Sequence, residues 1–319
     1  MPLPPSRRPV SLQIALTPAD LPDVRLLLPH QLRVWGGQVD EILCLVDVPP
    51  RLAASDPARL EAVLEFLEGW RRSYPHLTWR LVDYSPETVR RVEQVFYGGE
   101  KVPIHDYRNR PIYTYLYLLL ATTHDLVLHL DCDMMFGGAS QTWVAEAVEC
   151  LSRRSDVVAC KPFPGPPRAD GRPLSQRRPP VRELETPFAY RFSTFTYRVF
   201  LLDRRVFAER LAPLRDEWPP WPSALRALLR RRRPHALLEQ VIATAMQRHG
   251  QWRMDFLGRA PGMWSLHPRY RTPRYRHVLP ELIRMVEAGN VPDAQRGHYD
   301  LTDEMLRCAE EAGQTVAAG

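Results

Sequence analysis

The chain has 319 residues, 45% of them apolar and 25% charged, a balance that suits a soluble globular protein with room for one sizeable core. Its formal charge of +6 invites a polyanion partner, but Lys101 and Lys161 are the only lysines, so the excess is an arginine bias of the whole chain and no nucleic-acid partner is expected. The longest apolar run, Ile112–Ala121, is roughly half of a bilayer span, which excludes a transmembrane helix. Met1–Arg8 is proline-rich and lacks the apolar core of a signal peptide, and a disordered tail is expected over 1–10. The five cysteines are odd in number and form no CxxC pair. They read as reduced thiols in a cytoplasmic protein.

Ser11–Leu16 reads as a short strand, and Leu21–Trp35 has helical periodicity that stops at Gly36-Gly37. Glu41–Asp47 (EILCLVD) is the nearly continuous apolar run of a strand covered on both faces. Asp56-Pro57 opens a helix to Trp70 with Leu60, Val63, Leu64 and Leu67 on one stripe. Leu77–Val82 is a third strand, Ser85–Phe96 a helix, Ile112–Thr122 another, and Asp125–Leu130 a fourth strand. Ser140 is expected to cap a helix to Leu151, and Val157–Cys160 is a fifth strand. Strands alternating with helices predict a mostly parallel sheet covered on both faces, with ligands beyond the carboxyl ends of the strands. Residues 162–187, loaded with Pro, Gly and Arg, read as a mobile loop. Phe192–Asp203 is then a strand candidate, Arg204–Leu211 a short helix, Ser223–Arg233 a basic amphipathic stretch, and His235–His249 an amphipathic helix. Within it Ala224–Arg233 reads as a solvated helix end, with weak peripheral contact with an anionic membrane as the alternative.

The stretch with the most chemistry is His129-Leu-Asp131-Cys-Asp133. In extended chain, positions i and i+2 share a face, roughly 6.5–7 Å apart at Cα. Asp131 and Asp133 can therefore point into one cleft while Cys132 turns inward. Two carboxylates at the end of a buried strand suit Mn²⁺ or Mg²⁺. A bare Asp-x-Asp arises by chance. Its place at the end of an apolar strand after a βαβ pattern gives it weight.

In these motifs the sequence resembles the GT-A fold nucleotide-sugar glycosyltransferases, particularly the family 2-like group, over about Ser11 to His267. The resemblance implies a Rossmann-like α/β fold with a nucleotide-sugar-binding half over 11–161, an acceptor-binding half over 188–290 and a C-terminal tail over 291–319. It implies that Asp47, with Thr17, contacts the nucleotide, and that Asp131, Cys132 and Asp133 bind ribose and a diphosphate-bound metal; Arg108 and Arg110, in the loop before Ile112–Thr122, are candidates to steady the diphosphate. It makes Glu239, followed eleven positions later by Gly250, the counterpart of the catalytic base of inverting members. Glu stands here where the family has Asp, and Leu238 where an acid precedes it. His267 in Trp264-Ser-Leu-His267 matches a late third metal ligand, and Trp252 and Trp264 are candidates to stack on an acceptor. The implied activity is metal-dependent sugar transfer from a nucleotide-diphosphate donor, a UDP-sugar in preference, to an unidentified acceptor, with inversion. A retaining enzyme, a nucleotidyltransferase and a non-catalytic anion-binding protein are the alternatives. Thr17-Pro-Ala-Asp20 has no glycine, against the phosphate loop that a nucleotidyltransferase usually carries.

Overall fold

The computed structural model describes residues 8–48, 57–174, 180–231 and 233–317, with no statement on side chains beyond 314. Its first half follows the expected alternation: β1 (Val10–Leu16), α1 (Leu21–Trp35), β2 (Glu41–Val46), α2 (Pro57–Arg71), β3 (Leu77–Leu81), α3 (Pro86–Tyr97), α4 (Tyr113–Ala121) and β4 (Leu126–Asp131). The chain continues through β5 (Met135–Gly137), α5 (Trp143–Arg153), β6 (Val157–Pro164), β7 (Val181–Arg182), β8 (Ala189–Phe192) and β9 (Val199–Asp203). Last come α6 (Arg204–Leu211), α7 (Trp221–Leu229), α8 (Leu238–Arg248), β10 (Trp252–Phe256), β11 (Trp264–Leu266), α9 (Pro273–Ala288) and α10 (Asp303–Ala317).

The main sheet runs β3-β2-β1-β4-β9-β6-β10-β8-β7. The pairs β1–β2, β1–β4, β2–β3 and β6–β10 are parallel, while β9 and β8 run against their neighbours. This is the expected α/β architecture, and most of its strands point the same way.

Alternation along the strands explains the layering, because successive side chains face opposite sides of a sheet. Leu12, Ile14, Ile42, Cys44, Leu128 and Leu130 pack with Val24 and Leu28 of α1, Val63 of α2 and Trp143 of α5. Leu43, Leu45 and Val127, one residue out of phase, pack on the other side with Phe96 of α3, Leu116 of α4 and Ile242 of α8. Continuous apolar runs in β2 and β4 are thus the mark of strands buried on both faces.

A third cluster brings Phe163, Trp264 and Leu266 against Tyr275, Leu279 and Leu282 of α9 and Met305 of α10. The sequence reading assigned no element to 273–288 and took 291–319 as a tail, yet Asp303–Ala317 is a helix and Met305 and Ala309 are buried. Of the stretch read as a mobile loop, Pro162–Pro164 belong to β6, and the backbone pairs Gly165 with Ser265, Gly297 with Pro166 and Leu174 with Gly297. Gly165 has φ +88°, and a Cβ there would meet the His298 carbonyl at 2.3 Å, so this close approach requires glycine. Residues 175–179 of that loop and 1–7 of the expected tail lie outside the described residues, as does Asp56, while Val181–Arg182 of the loop form β7 and Val10 of the expected tail opens β1. Phe192–Asp203 is two strands rather than one, because the chain leaves β8 and returns as β9. Thr142, not Ser140, is the residue before α5, although the Ser140 hydroxyl accepts from the Thr142 amide at 3.3 Å.

Candidate active site

Parallel register sets the place. Leu16 lies opposite Val46 and Ala15 opposite Asp131, so β1, β2 and β4 finish at one edge. Past Asp131 the chain turns at once, with the Met134 amide donating to the Asp131 carbonyl at 3.2 Å. Gln31 of α1 clamps that turn from beneath, donating to the carbonyls of Asp131 (3.1 Å) and Met134 (3.0 Å). The turn puts both carboxylates in the wall of one cleft of about 300 Å³, together with Arg110, Tyr115, Tyr197, Arg198, His267, Arg269 and Arg271. The tertiary fold therefore brings together Asp131, Asp133 and His267.

Each of the three is held differently. Asp131 Oδ1 accepts from the Tyr115 hydroxyl at 2.7 Å and lies 3.4 Å from His129 Nε2. Burial, with the Asp131 charge second, pushes the Tyr115 hydroxyl well above its ordinary pKa, so it stays protonated as a donor. Asp133 Oδ2 is 3.8 Å from Arg271 Nε, while its buried Oδ1 has no hydrogen-bond partner among the described residues. Burial and then the neighbouring Asp131 charge raise the Asp133 carboxyl, against the pull of His267 and Arg271. His267 follows β11, its Nδ1 2.9 Å from Asp300 Oδ1 and its ring stacked 5.9 Å from that of Tyr299. Burial alone would raise the Asp300 carboxyl, but the His267 hydrogen bond, with the Arg198 and Arg269 charges, holds it below its usual range. A carboxylate on one imidazole nitrogen orients the other for a metal, a common arrangement behind ligating histidines.

These donors fit a diphosphate-bound divalent ion. The orphaned Asp133 oxygen and two adjacent carboxylates are hard oxygen donors. Among the described residues no three His, Cys, Asp or Glu side chains form a ready-made metal site.

The other expected site residues lie outside the wall of this cleft. Thr17 serves it indirectly: its amide and hydroxyl donate to Asp20 Oδ2 at 2.7 Å, and Asp20 Oδ1 accepts from Arg271 at 2.5 Å. Asp47 stands at the same sheet edge, its two oxygens accepting from Tyr84 (2.7 Å) and Thr114 (2.8 Å). Glu239, in the first turn of α8, is half-buried, and its charge is felt by Arg110, Tyr197 and Arg198 of the cleft. Arg108 bonds to Tyr107 at 2.9 Å and lines a different cavity with α7, whereas Arg110 is in the cleft wall.

Three expectations are corrected by packing. The Cys132 side chain is buried with Met134 and Phe136, as strand alternation predicts, and is not in the cleft wall. Trp264 is a core side chain lying so close to Gly137 that a Cβ there would stand 2.1 Å from its ring, so it offers no face to an acceptor. Trp252 opens β10 opposite Val157, at the amino edge of the sheet, away from the Asp131 edge, where Arg191 covers its ring at 5.3 Å.

The sequence reading did not find Tyr115, Tyr197, Arg198, Arg271, Asp300 or Lys161. Only Lys161 left a signal, as one of two lysines in an arginine-rich chain. It is buried on β6 with Nζ 3.7 Å from the Tyr299 ring centroid, and burial lowers it to about 7 against the attraction of Asp255.

No family model matches the sequence, and no curated protein matches it. Among solved structures the chain is similar to S. aureus TarS residues 1–349, at 10% identity over 90% of this chain and 67% of that one, with a TM-score of 0.41. It is similar to the mannosyltransferase PcManGT from Pyrobaculum calidifontis in complex with GDP-Man and Mn²⁺, at 12% identity over 96% of this chain and 70% of that one, TM-score 0.42. It is also similar to GalNAc-T7 with UDP, GalNAc and Mn²⁺, at 11% identity over 82% of this chain, TM-score 0.44, and spans only 44% of that protein's length. At such values the likeness is one of outline, and what the site can do has to be read from its own side chains.

Proposed function

We propose that this chain is a metal-dependent glycosyltransferase that moves a sugar from a nucleoside-diphosphate donor, a UDP-sugar in preference, to an acceptor hydroxyl or amine with inversion. The observation that carries the reading is the gathering of Asp131, Asp133 and His267 in one arginine-rimmed cleft at the carboxyl edge of parallel strands. Asp131, Asp133 and His267 would hold Mn²⁺ or Mg²⁺, which when bound supplies Lewis-acid neutralisation of the departing diphosphate. Arg110, Arg198, Arg269 and Arg271 add fixed positive charge to the same wall. As the anomeric C–O bond to diphosphate breaks, its electron pair leaves with the phosphate oxygen and the acceptor atom bonds to the opposite face of the sugar. Glu239 takes the acceptor's proton. Asp47 and Thr17 would contact the nucleoside from the neighbouring strand ends. A cytoplasmic setting belongs to the same reading and suits five unpaired thiols.

A retaining reaction is the second reading, favoured by the position of Glu239 outside the cleft wall, and would leave that residue structural. Screening nucleotide sugars for Mn²⁺-dependent hydrolysis and transfer tests the function. Glu239→Gln separates the two readings: inversion requires unchanged donor binding with transfer reduced about 10²-fold or more. Turnover close to wild type would remove Glu239 from the chemistry.

A further inference from the structure

Helix α7 is built inside out. Its two buried side chains are the small Ala224 and Ala227, whereas Trp221, Leu225, Leu228 and Leu229 are 70%, 44%, 49% and 76% exposed. Their spacing of i, i+4, i+7 and i+8 makes one continuous outward stripe. Trp218, just before the helix, is 71% exposed and extends it. A helix that merely packs on a protein turns its largest apolar groups inward. Soluble surfaces scatter exposed apolar residues singly rather than gathering them.

Arginines flank the stripe. Arg226 and Arg230 join Arg108, Tyr107 and Ser223 around a cavity of about 350 Å³ with no carboxylate in its wall. Arg231 and Arg233 continue the charge beyond the helix. Among the described residues Arg108, Arg226 and Arg230 form no ion pair, whereas Arg154, Arg191, Arg204 and Arg253 each face an acid. Unpaired guanidinium groups beside an exposed Trp/Leu stripe match the interface of an anionic bilayer. There apolar side chains enter the acyl boundary, tryptophans sit at headgroup level and arginines meet phosphates.

We propose that α7 docks the protein on an anionic phospholipid surface, with Trp218, Trp221, Leu225 and Leu229 inserted and Arg108, Arg226 and Arg230 seating a headgroup phosphate. The inference stands independently of the sugar-transfer reading. The two meet in one place: the loop that gives Arg108 to the headgroup pocket gives Arg110 to the cleft of Asp131 and Asp133 two residues later.

Co-flotation with vesicles tests it. The full chain should float with phosphatidylglycerol–phosphatidylcholine vesicles and stay behind with phosphatidylcholine alone. Leu225→Ser/Leu229→Ser, which keeps every charge, should cut bound protein at least tenfold, and Arg226→Gln/Arg230→Gln should do the same. Both variants change exposed positions, so an unfolding midpoint equal to wild type certifies them. Absence of wild-type flotation would overturn the proposal, as would flotation of the leucine variant at the wild-type level. Inorganic phosphate that displaced the protein from vesicles without any leucine dependence would reduce the pocket to a phosphate seat and overturn bilayer docking. Self-association lost in the leucine variant, with no vesicle binding, would assign the face to a second copy of the chain and equally overturn it.

Discussion

Asp133 Oδ1 is a buried acceptor with no donor among the described residues. Leaving such an atom unsatisfied costs about 1–3 kcal/mol, so the side chain is a burden to the fold unless something binds there. Asp133→Ala should abolish metal-linked nucleotide binding in calorimetry while leaving the unfolding midpoint unchanged or higher. A drop in midpoint would show that the acid is structural. Lys161 makes a second, opposite kind of demand. Its ordinary pKa of 10.5 falls to about 7 when buried, so between these values the unfolded chain binds more protons than the native one. Stability from this group therefore rises as pH climbs from about 7 towards 10, and its full penalty is present below about 7. Lys161→Met should be most stabilising relative to wild type at pH 6 and converge on it near pH 10, by chemical denaturation across that range. A difference independent of pH would refute the buried-amine account. Both residues lie within electrostatic reach of Arg198, so the charge of the cleft is shared across β4, β6 and the β8–β9 connection.

At the scale of elements, the short pair β5–β11 carries His267 to the cleft. Trp264 pairs with Gly137, and its ring fills the space that a side chain on β5 would need. Gly137→Ala should therefore overpack this contact, lowering stability by about 1–3 kcal/mol in a denaturant titration. An unchanged midpoint would mean that the ring is free to move. The same elements show where sequence is eloquent and where it is mute. β2 and β4 were legible because strands buried on both faces are apolar at nearly every position, and the acids at their ends break that run abruptly. α9 was not, since Pro273 and Pro280 punctuate it as a loop would be punctuated. The stripe on α7 was visible as a basic amphipathic stretch. Which face pointed outward was decided only by Ala224 and Ala227 packing inward.

For the whole molecule, binding should be linked to metal and to folding together. UDP at a hundredfold excess over its dissociation constant should add about 2.7 kcal/mol of stability, read as a rise in unfolding temperature, and only with Mn²⁺ present. An equal rise after chelation would discard the metal from the nucleotide site. By itself the sequence determined the alternation of strands and helices, the two-sided burial of the sheet and the paired acids at the rim, because periodicity and strand ends are properties of neighbours in the chain. It could not determine that Asp300 and Arg271 would stand beside His267, Asp131 and Asp133, that Trp264 would be packed away, or that Trp252 would face the far edge. Those outcomes depend on strand order, on β9 running against β4, and on α9 and α10 closing over β11. Contacts between residues more than a hundred positions apart are set by how elements stack, and no local pattern of side chains records that.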